Sequence, residues 1–479
     1  MTGRAVLICG ALLLVNNAAI AEQQPLPWEV SQVLQALNVS AQDVGVYVQA
    51  LDSDQALITH NAVKSFNPAS TIKLLTTWLA LDSLGPAFTW PTRVYLDGEL
   101  THGVLRGDLI IHAQGDPYFT TERLWSLLRK LRLLGLQKIQ GNLVIDNSYF
   151  TQTEDDPSAF DGEGLRVYNV LPDAALINFQ ALRLYFLPDL GAKQIRVVAD
   201  PMPANLVIDN RLRAVPGPCG GFRNGVRLEL EGSARDTLVV SGNYGIECDR
   251  YSLSRSVLTG PTFAYGLVRT IWESLDGELT GSLQLKPGVL KEWPEDAQPF
   301  LETTSPPLAD VITYINKFSN NVMARHLFLT LAAERHEVPA SVGLARASAR
   351  ELLVTRGFDF PNLYIDNGSG LSRDTRISAA TLAAILRQAA SGPWSAEYVS
   401  SLSLAGLDGT LQKRFKEEAA TGRMHMKTGR LNDVFATAGY VHAQSGRDYV
   451  VVILQNYRDA DRGPGEEAQS ALLRWVHEQ

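Results

Sequence analysis

The chain has 479 residues, of which 45% are hydrophobic and 20% charged. That is enough for about two to four folded domains and too apolar for a disordered chain. With 43 Lys and Arg against 51 Asp and Glu, the net charge is −8 and no basic block occurs, which excludes nucleic acid as the partner around which the chain is built.

Arg4, an apolar run over residues 5–15 and Ala19-Ile20-Ala21 before Glu22 read as a secretory signal. Residues 1–21 are therefore predicted to be removed, an uncleaved anchor being the alternative, and the mature chain is placed in the periplasm. Cys9 leaves with the signal, and Cys219 and Cys248 remain as an even pair in an oxidising compartment. A disulfide between them is expected, two free thiols being the alternative. No second long apolar segment follows, so no integral membrane span is expected after cleavage.

Val30, Val33, Leu34 and Leu37 have helical spacing, and residues 44–59 read as a hairpin, two β-rich runs around Asp52-Ser53-Asp54-Gln55. Asn67-Pro68-Ala69-Ser70-Thr71-Ile72-Lys73 then reads as a helix start, with Asn67 as cap and Pro68 at the first helical position. Ile72, Leu75 and Leu79 give this helix one buried face, and it runs to about residue 84. Strands are expected at 92–96, 108–112 and 144–146, and an amphipathic helix at 121–134. Residues 151–165 are polar and acidic and read as an exposed loop. Runs at 182–186, 195–198, 226–230 and 237–240 look like a small all-β module. A helix at 263–275 follows, and then the stretch Gly281-Ser282-Leu283-Gln284-Leu285. Helices then return, with Leu308, Ile312 and Ile315 on one face, a break near Phe318-Ser319-Asn320-Asn321, and further helices at 340–355 and 379–390. Strands at 424–427, 435–442 and 448–455 precede a closing helix at 465–479.

The order of textures implies an α+β fold in which both ends of the chain make one catalytic domain. Its expected segments are 22–96 and 287–479. An inserted α+β domain takes 97–181 and 250–286, and a nested small β domain takes 182–249.

Three short motifs carry chemistry. Ser70 and Lys73 are three apart on the first helical turn, so an amine lies beside a hydroxyl whose proton it can take if its own pKa is pushed down; a surface Ser and Lys on an amphipathic helix is the alternative. Ser319 and Asn321 sit at a helix break, where they can face a cleft; a helix cap explains the same residues. Lys427-Thr428-Gly429 ends the expected 424–427 strand, where Lys and Thr can bind a carboxylate and Gly admits a ligand close to the backbone. A surface hairpin with an exposed Lys is the alternative there.

In this order, S-x-x-K, S-x-N and K-T-G, the chain resembles the penicillin-recognising serine acyl enzymes. The long span between Ser70 and Ser319 resembles the class C low-molecular-mass penicillin-binding proteins, the D-alanyl-D-alanine carboxypeptidase/endopeptidase family. Gly115-Asp116-Pro117, Asp366-Asn367-Gly368-Ser369-Gly370-Leu371-Ser372 and Ala405-Gly406-Leu407-Asp408-Gly409-Thr410-Leu411 match as well. The resemblance implies a helix-flanked antiparallel sheet and an acyl-enzyme on Ser70, with Lys73 as base and Ser319 as proton relay. It further implies Asn321 on the substrate amide, Lys427 and Thr428 on the terminal carboxylate, and Gly429 and Arg430 lining the substrate. The peptide would lie along the 424–427 strand. Peptidoglycan stem peptides and β-lactams are the implied partners, with no metal or organic cofactor, and homo-oligomerisation is left open. Two features depart from the pattern. Arg430 stands where the family usually has a small hydroxyl residue, and the acidic residue expected from the insertion is Asp161 or Glu163 without a choice between them. A serine β-lactamase and an inactive wall-binding scaffold are the rival readings.

Overall fold

The computed structural model describes residues 25–479 apart from 154, 218–224, 249, 295 and 337. The expected signal segment and Cys219 lie outside the described residues, while Cys248 is disulfide-bonded.

A six-stranded sheet joins the two ends of the chain. Its spatial order is Ser403–Leu404, Met424–Leu431, Val434–His442, Asp448–Asn456, Val44–Ala50 and Ala56–His60, and every neighbouring pair is antiparallel. The strands Val434–His442 and Asp448–Asn456 are buried along nearly their whole length. Their apolar runs are continuous, not alternating, because helices cover both faces. Val30 and Leu34 of helix Trp28–Ala36 pack with Leu472 and Val476 of helix Pro464–His477 on one face. Helices Lys73–Leu84, Leu308–Phe318, Asn321–Ala333, Val342–Thr355 and Ala379–Ser391 share the core on the other.

Helix Lys73–Leu84 is buried on all sides through Leu81, not on one face as its spacing predicted. It runs through the middle of the helical layer, and a helix apolar all round belongs there.

The insertion is built on a seven-stranded sheet. Pro91–Thr101 pairs with Val104–Ala113 on one side and with Leu301–Thr304 on the other. Helices Thr121–Leu133 and Gly260–Ser274 pack on this sheet through Leu127, Leu131, Phe263 and Leu267. The boundary expected at 96/97 therefore falls inside a strand, and Leu301–Thr304, expected in the catalytic segment 287–479, belongs to the inserted sheet.

The region expected as a nested all-β domain forms two three-stranded sheets. One holds Val207–Val215, Thr237–Gly245 and Val226–Glu231, the other Tyr251–Arg255, Leu182–Asp189 and Gln194–Asp200. Tyr251–Arg255 lies past the expected boundary at 249 yet pairs with Leu182–Asp189. Leu184, Phe186, Leu238 and Tyr244 share one apolar core with the inserted sheet and its helices. A small sheet is stabilised by packing its apolar face against other elements, and here the β region leans on its neighbour. Strand Val207–Val215 escaped the sequence reading because Asp209, Asn210, Arg211 and Arg213 break any apolar alternation.

Candidate active site

Ser70 lies in a short 3-10 turn, Ala69–Ile72, that feeds directly into helix Lys73–Leu84. Ala69 holds φ +45°, a left-handed conformation that costs a non-glycine residue about 1–2 kcal/mol. Asn67 holds it there. Its Oδ1 accepts from Ala69 N (2.9 Å) and its Nδ2 donates to Ser372 O (2.9 Å). Its backbone exchanges two bonds with the Asn456 side chain, at 2.7 and 3.0 Å. Asn67 thus ties the turn to the sheet but is not the expected helix cap: Pro68 stands at the N-cap of the 3-10 turn, and the α-helix begins only at Lys73, because the left-handed Ala69 interrupts the helical path.

Ser70 N is approached from both sides by glycine. A Cβ on Gly429 would stand 2.9 Å from Ser70 N and 2.7 Å from Pro68 O, and one on Gly370 2.9 Å from Ser70 N and 2.0 Å from Ala69 O. Any larger residue at either position would push the nucleophile turn away.

The Lys73 amine is fully buried. Its Nζ donates to Ser70 Oγ (2.9 Å), to Asn321 Oδ1 (2.7 Å) and to the carbonyl oxygen of Ser369. Burial is the largest cause holding its pKa well below the ordinary lysine value, and the charges of Lys427 and Arg325 add to it. Lys427 is buried as well and is pulled down to about 7 by desolvation. Its Nζ donates to Ser319 Oγ (2.9 Å) and to Thr428 O (2.7 Å).

Ser319 terminates helix Leu308–Phe318 in the left-handed conformation, φ 56°. Asn320 caps the next helix, accepting from Met323 N at 3.1 Å, and Asn321 begins it. The cap forms on Asn320, between two residues that bond lysines: the break places Ser319 against Lys427 and Asn321 against Lys73.

Lys427-Thr428-Gly429 does not end its strand, which continues to Leu431 before the turn into Val434–His442. Ser403–Leu404 pairs with Met426 and His425, and Ala405 N donates to Met424 O. The expected docking edge at 424–427 is thus already taken, and among the described residues the strand pairs on that edge only as far as Met426. Thr428 Oγ1 donates to Thr410 Oγ1 at 2.8 Å. The Arg430 side chain is 65% exposed and rests 3.8 Å from Asp461 Oδ2.

The insertion reaches the site. Asn321 Nδ2 donates to Tyr168 O (3.3 Å), and Tyr168 Oη and Asn169 Nδ2 both donate to Asp161, each at 2.8 Å. Glu163 instead pairs with Arg166 in solvent. Sequence reasoning missed Arg325 and the acceptor carbonyls of Ser369 and Tyr168. The stretch containing Ser369 was singled out by its motif, but a carbonyl leaves no signature in residue type.

The sequence profile of the D-Ala-D-Ala carboxypeptidase 3 (S13) family matches residues 26–479. A D-alanyl-D-alanine carboxypeptidase of Actinomadura sp. (strain R39) is 27% identical over 466 residues, covering 92% of this chain and 82% of that protein. The D-alanyl-D-alanine carboxypeptidase DacB of Haemophilus influenzae is 25% identical over 437 residues, covering 90% and 89%. The solved structure of penicillin binding protein 4 (dacB) from Haemophilus influenzae overlays with a TM-score of 0.78 at 24% identity, over 94% of this chain and 99% of that one. The same protein complexed with a β-lactam overlays at 0.76 and 23%, over 94% and 100%.

Proposed function

The chain belongs to the D-Ala-D-Ala carboxypeptidase 3 (S13) family and is a serine-type D-Ala-D-Ala carboxypeptidase, and from that premise we propose how its own residues carry the reaction. Ser70 Oγ attacks the carbonyl carbon of a D-alanyl amide and gives its proton to neutral Lys73. The backbone N–H groups of Ser70 and Arg430 hold the resulting oxyanion, each worth about 3 kcal/mol. Collapse breaks the C–N bond; Ser319 relays the proton held by Lys73 to the leaving amine, so Lys73 is neutral again while Ser70 keeps the acyl group. Water then attacks the ester and gives its proton to Lys73, which returns it to Ser70 Oγ as the ester C–O bond breaks.

Asn321 holds the substrate amide while Lys427 and Thr428 take the carboxylate of the leaving residue. A bound carboxylate restores the charge on Lys427, since an anion 3–4 Å away favours the ammonium form. The donor peptide adds to the strand edge between Thr428 and Leu431. Asp161, not Glu163, is the acidic group of the insertion that meets the donor stem, because Tyr168 and Asn169 fix it beside Asn321. The observation that carries the reading is the buried Lys73 amine at 2.9 Å from Ser70 Oγ among uncharged oxygens.

Peptidoglycan stem peptides are the substrate class and β-lactams the acylating mimics. Cross-link opening follows from the same chemistry wherever the leaving amine belongs to a second stem. Among the described residues no helix is long and apolar enough to cross a membrane, and residues 1–21 would deliver the chain to the periplasm.

Intact-protein mass after exposure to a labelled penicillin tests the nucleophile. One adduct on wild type and none on Ser70→Ala is expected, with free D-alanine released from a stem pentapeptide. An adduct that survives in Ser70→Ala overturns the assignment. Turnover of penicillin faster than of the peptide would favour the β-lactamase reading instead.

A further inference from the structure

One face of helix Asn321–Ala333 meets the inserted chain at two points. Asn321 Nδ2 donates to Tyr168 O (3.3 Å), and Arg325 Nη1 donates to Val170 O (2.9 Å). Residues four apart on a helix share a face, so the face that reaches Lys73 through Asn321 Oδ1 also grips residues 168–170. That segment has further contacts: Val170 packs with Val322 of the same helix and with Leu176, and the buried Asn169 donates to Asp161 Oδ1 and to Glu163 O.

A guanidinium is a costly group for this task. Arg325 Nε is buried with no hydrogen-bond partner, and an amide side chain would serve one carbonyl as well. Taking such a cation out of water carries a large desolvation penalty. Burial draws Arg325 down to about 10, opposed by Asp366 and Asp155, and Asp366 is itself ion-paired to Arg346. The charged groups acting on Lys73 are Lys427 from the strand and Arg325 from the helix, both positive. Ser70, Asn321 and Ser369 present it with uncharged oxygens.

We propose that Arg325 is a positioning residue for acyl transfer: its guanidinium fixes residues 168–170 against Asn321 and places a positive charge on the helix face that presents Asn321 to the Lys73 amine. The inference rests on Lys73 being the base. A cation there disfavours protonation of the amine, so more Lys73 is ready to accept the Ser70 proton at neutral pH. Because the same guanidinium bonds Val170 O, the insertion and the base are coupled through one side chain.

The test measures the rate of acylation by a labelled penicillin between about pH 6 and pH 10 for the wild type, Arg325→Gln and Arg325→Lys. Amide exchange over residues 155–170 is followed in each. Arg325→Gln should move the acidic limb upward by about 0.5–1 pH unit and speed exchange in the segment. Arg325→Lys keeps the charge but loses the planar fork; it should return the limb to its wild-type position while exchange stays fast. An acidic limb that Arg325→Gln leaves in place overturns the proposal, as does a limb that Arg325→Lys fails to restore. If the glutamine variant does not fold, Arg325→Met removes the same charge and must show the same upward limb, an unmoved limb again overturning the proposal. Wild type that takes no label defeats the acyl-transfer reading itself, a result distinct from a labelled wild type whose limb ignores Arg325.

Discussion

The two glycines beside Ser70 N allow backbone strain and steric displacement to be separated. Gly446 sits at φ +85° with nothing within 4 Å of an added Cβ; Gly429 has no positive φ but its Cβ would stand 2.7 Å from Pro68 O; Gly370 combines φ +80° with a 2.0 Å approach to Ala69 O. Gly446→Ala should therefore cost only the left-handed penalty, about 1–2 kcal/mol, and leave acylation as it was. Gly429→Ala should cost about 1–3 kcal/mol from overpacking. Because the atoms it displaces belong to the nucleophile turn, it should also slow acylation by about 10²-fold, the typical loss for a 1 Å misplacement of a reacting group. Gly370→Ala combines both terms, about 2–5 kcal/mol, with a rate loss at least as large. Chemical denaturation gives the stabilities, and the second-order rate of penicillin acylation on the folded fraction gives the rest. If folded Gly429→Ala acylates within about threefold of wild type, the close approach of strand and turn is not what sets the geometry at Ser70.

Three further outcomes follow from burial of charge. Lys73 has a folded-state pKa below its free value, so the unfolded chain binds more protons and burying the amine costs stability at every pH below about 10.4. Lys73→Met should abolish acylation yet stabilise the fold by about 1–4 kcal/mol at pH 7, the gain shrinking toward pH 10 in thermal melts; a destabilised variant refutes the reasoning. With Lys427 at about 7 in the free enzyme, its charge fades as pH rises, so kcat/KM for a free-carboxylate peptide should fall on the alkaline side while that for the C-terminal amide does not. In the insertion, Asp116 is buried against Arg123 at 2.6 Å, and its pKa is raised by desolvation despite that partner. Arg123→Met strands the carboxylate and should cost about 3–5 kcal/mol near pH 7, the loss shrinking as pH falls and the raised carboxyl takes up its proton.

Local chain grammar carried much of this protein. The three motifs, the helix break at Ser319, the hairpin at 44–59 and the α+β class were all legible, because each rests on contacts between residues close in sequence or on a side-chain period. The tertiary structure decided the rest. It burdened Ala69 with a left-handed turn that Asn67, Ser372 and Asn456 hold from three parts of the chain. It ran the Lys427 strand on to Leu431, because the Val434–His442 strand offers partners all the way. It merged the β-rich region into the core of its neighbour, because Leu184, Phe186, Leu238 and Tyr244 find their apolar partners on the inserted sheet and its helices, far away in the chain. The acceptors of Lys73 and Asn321 at Ser369 and Tyr168 are backbone carbonyls. Every residue type supplies one, so only the path of the folded chain could place them.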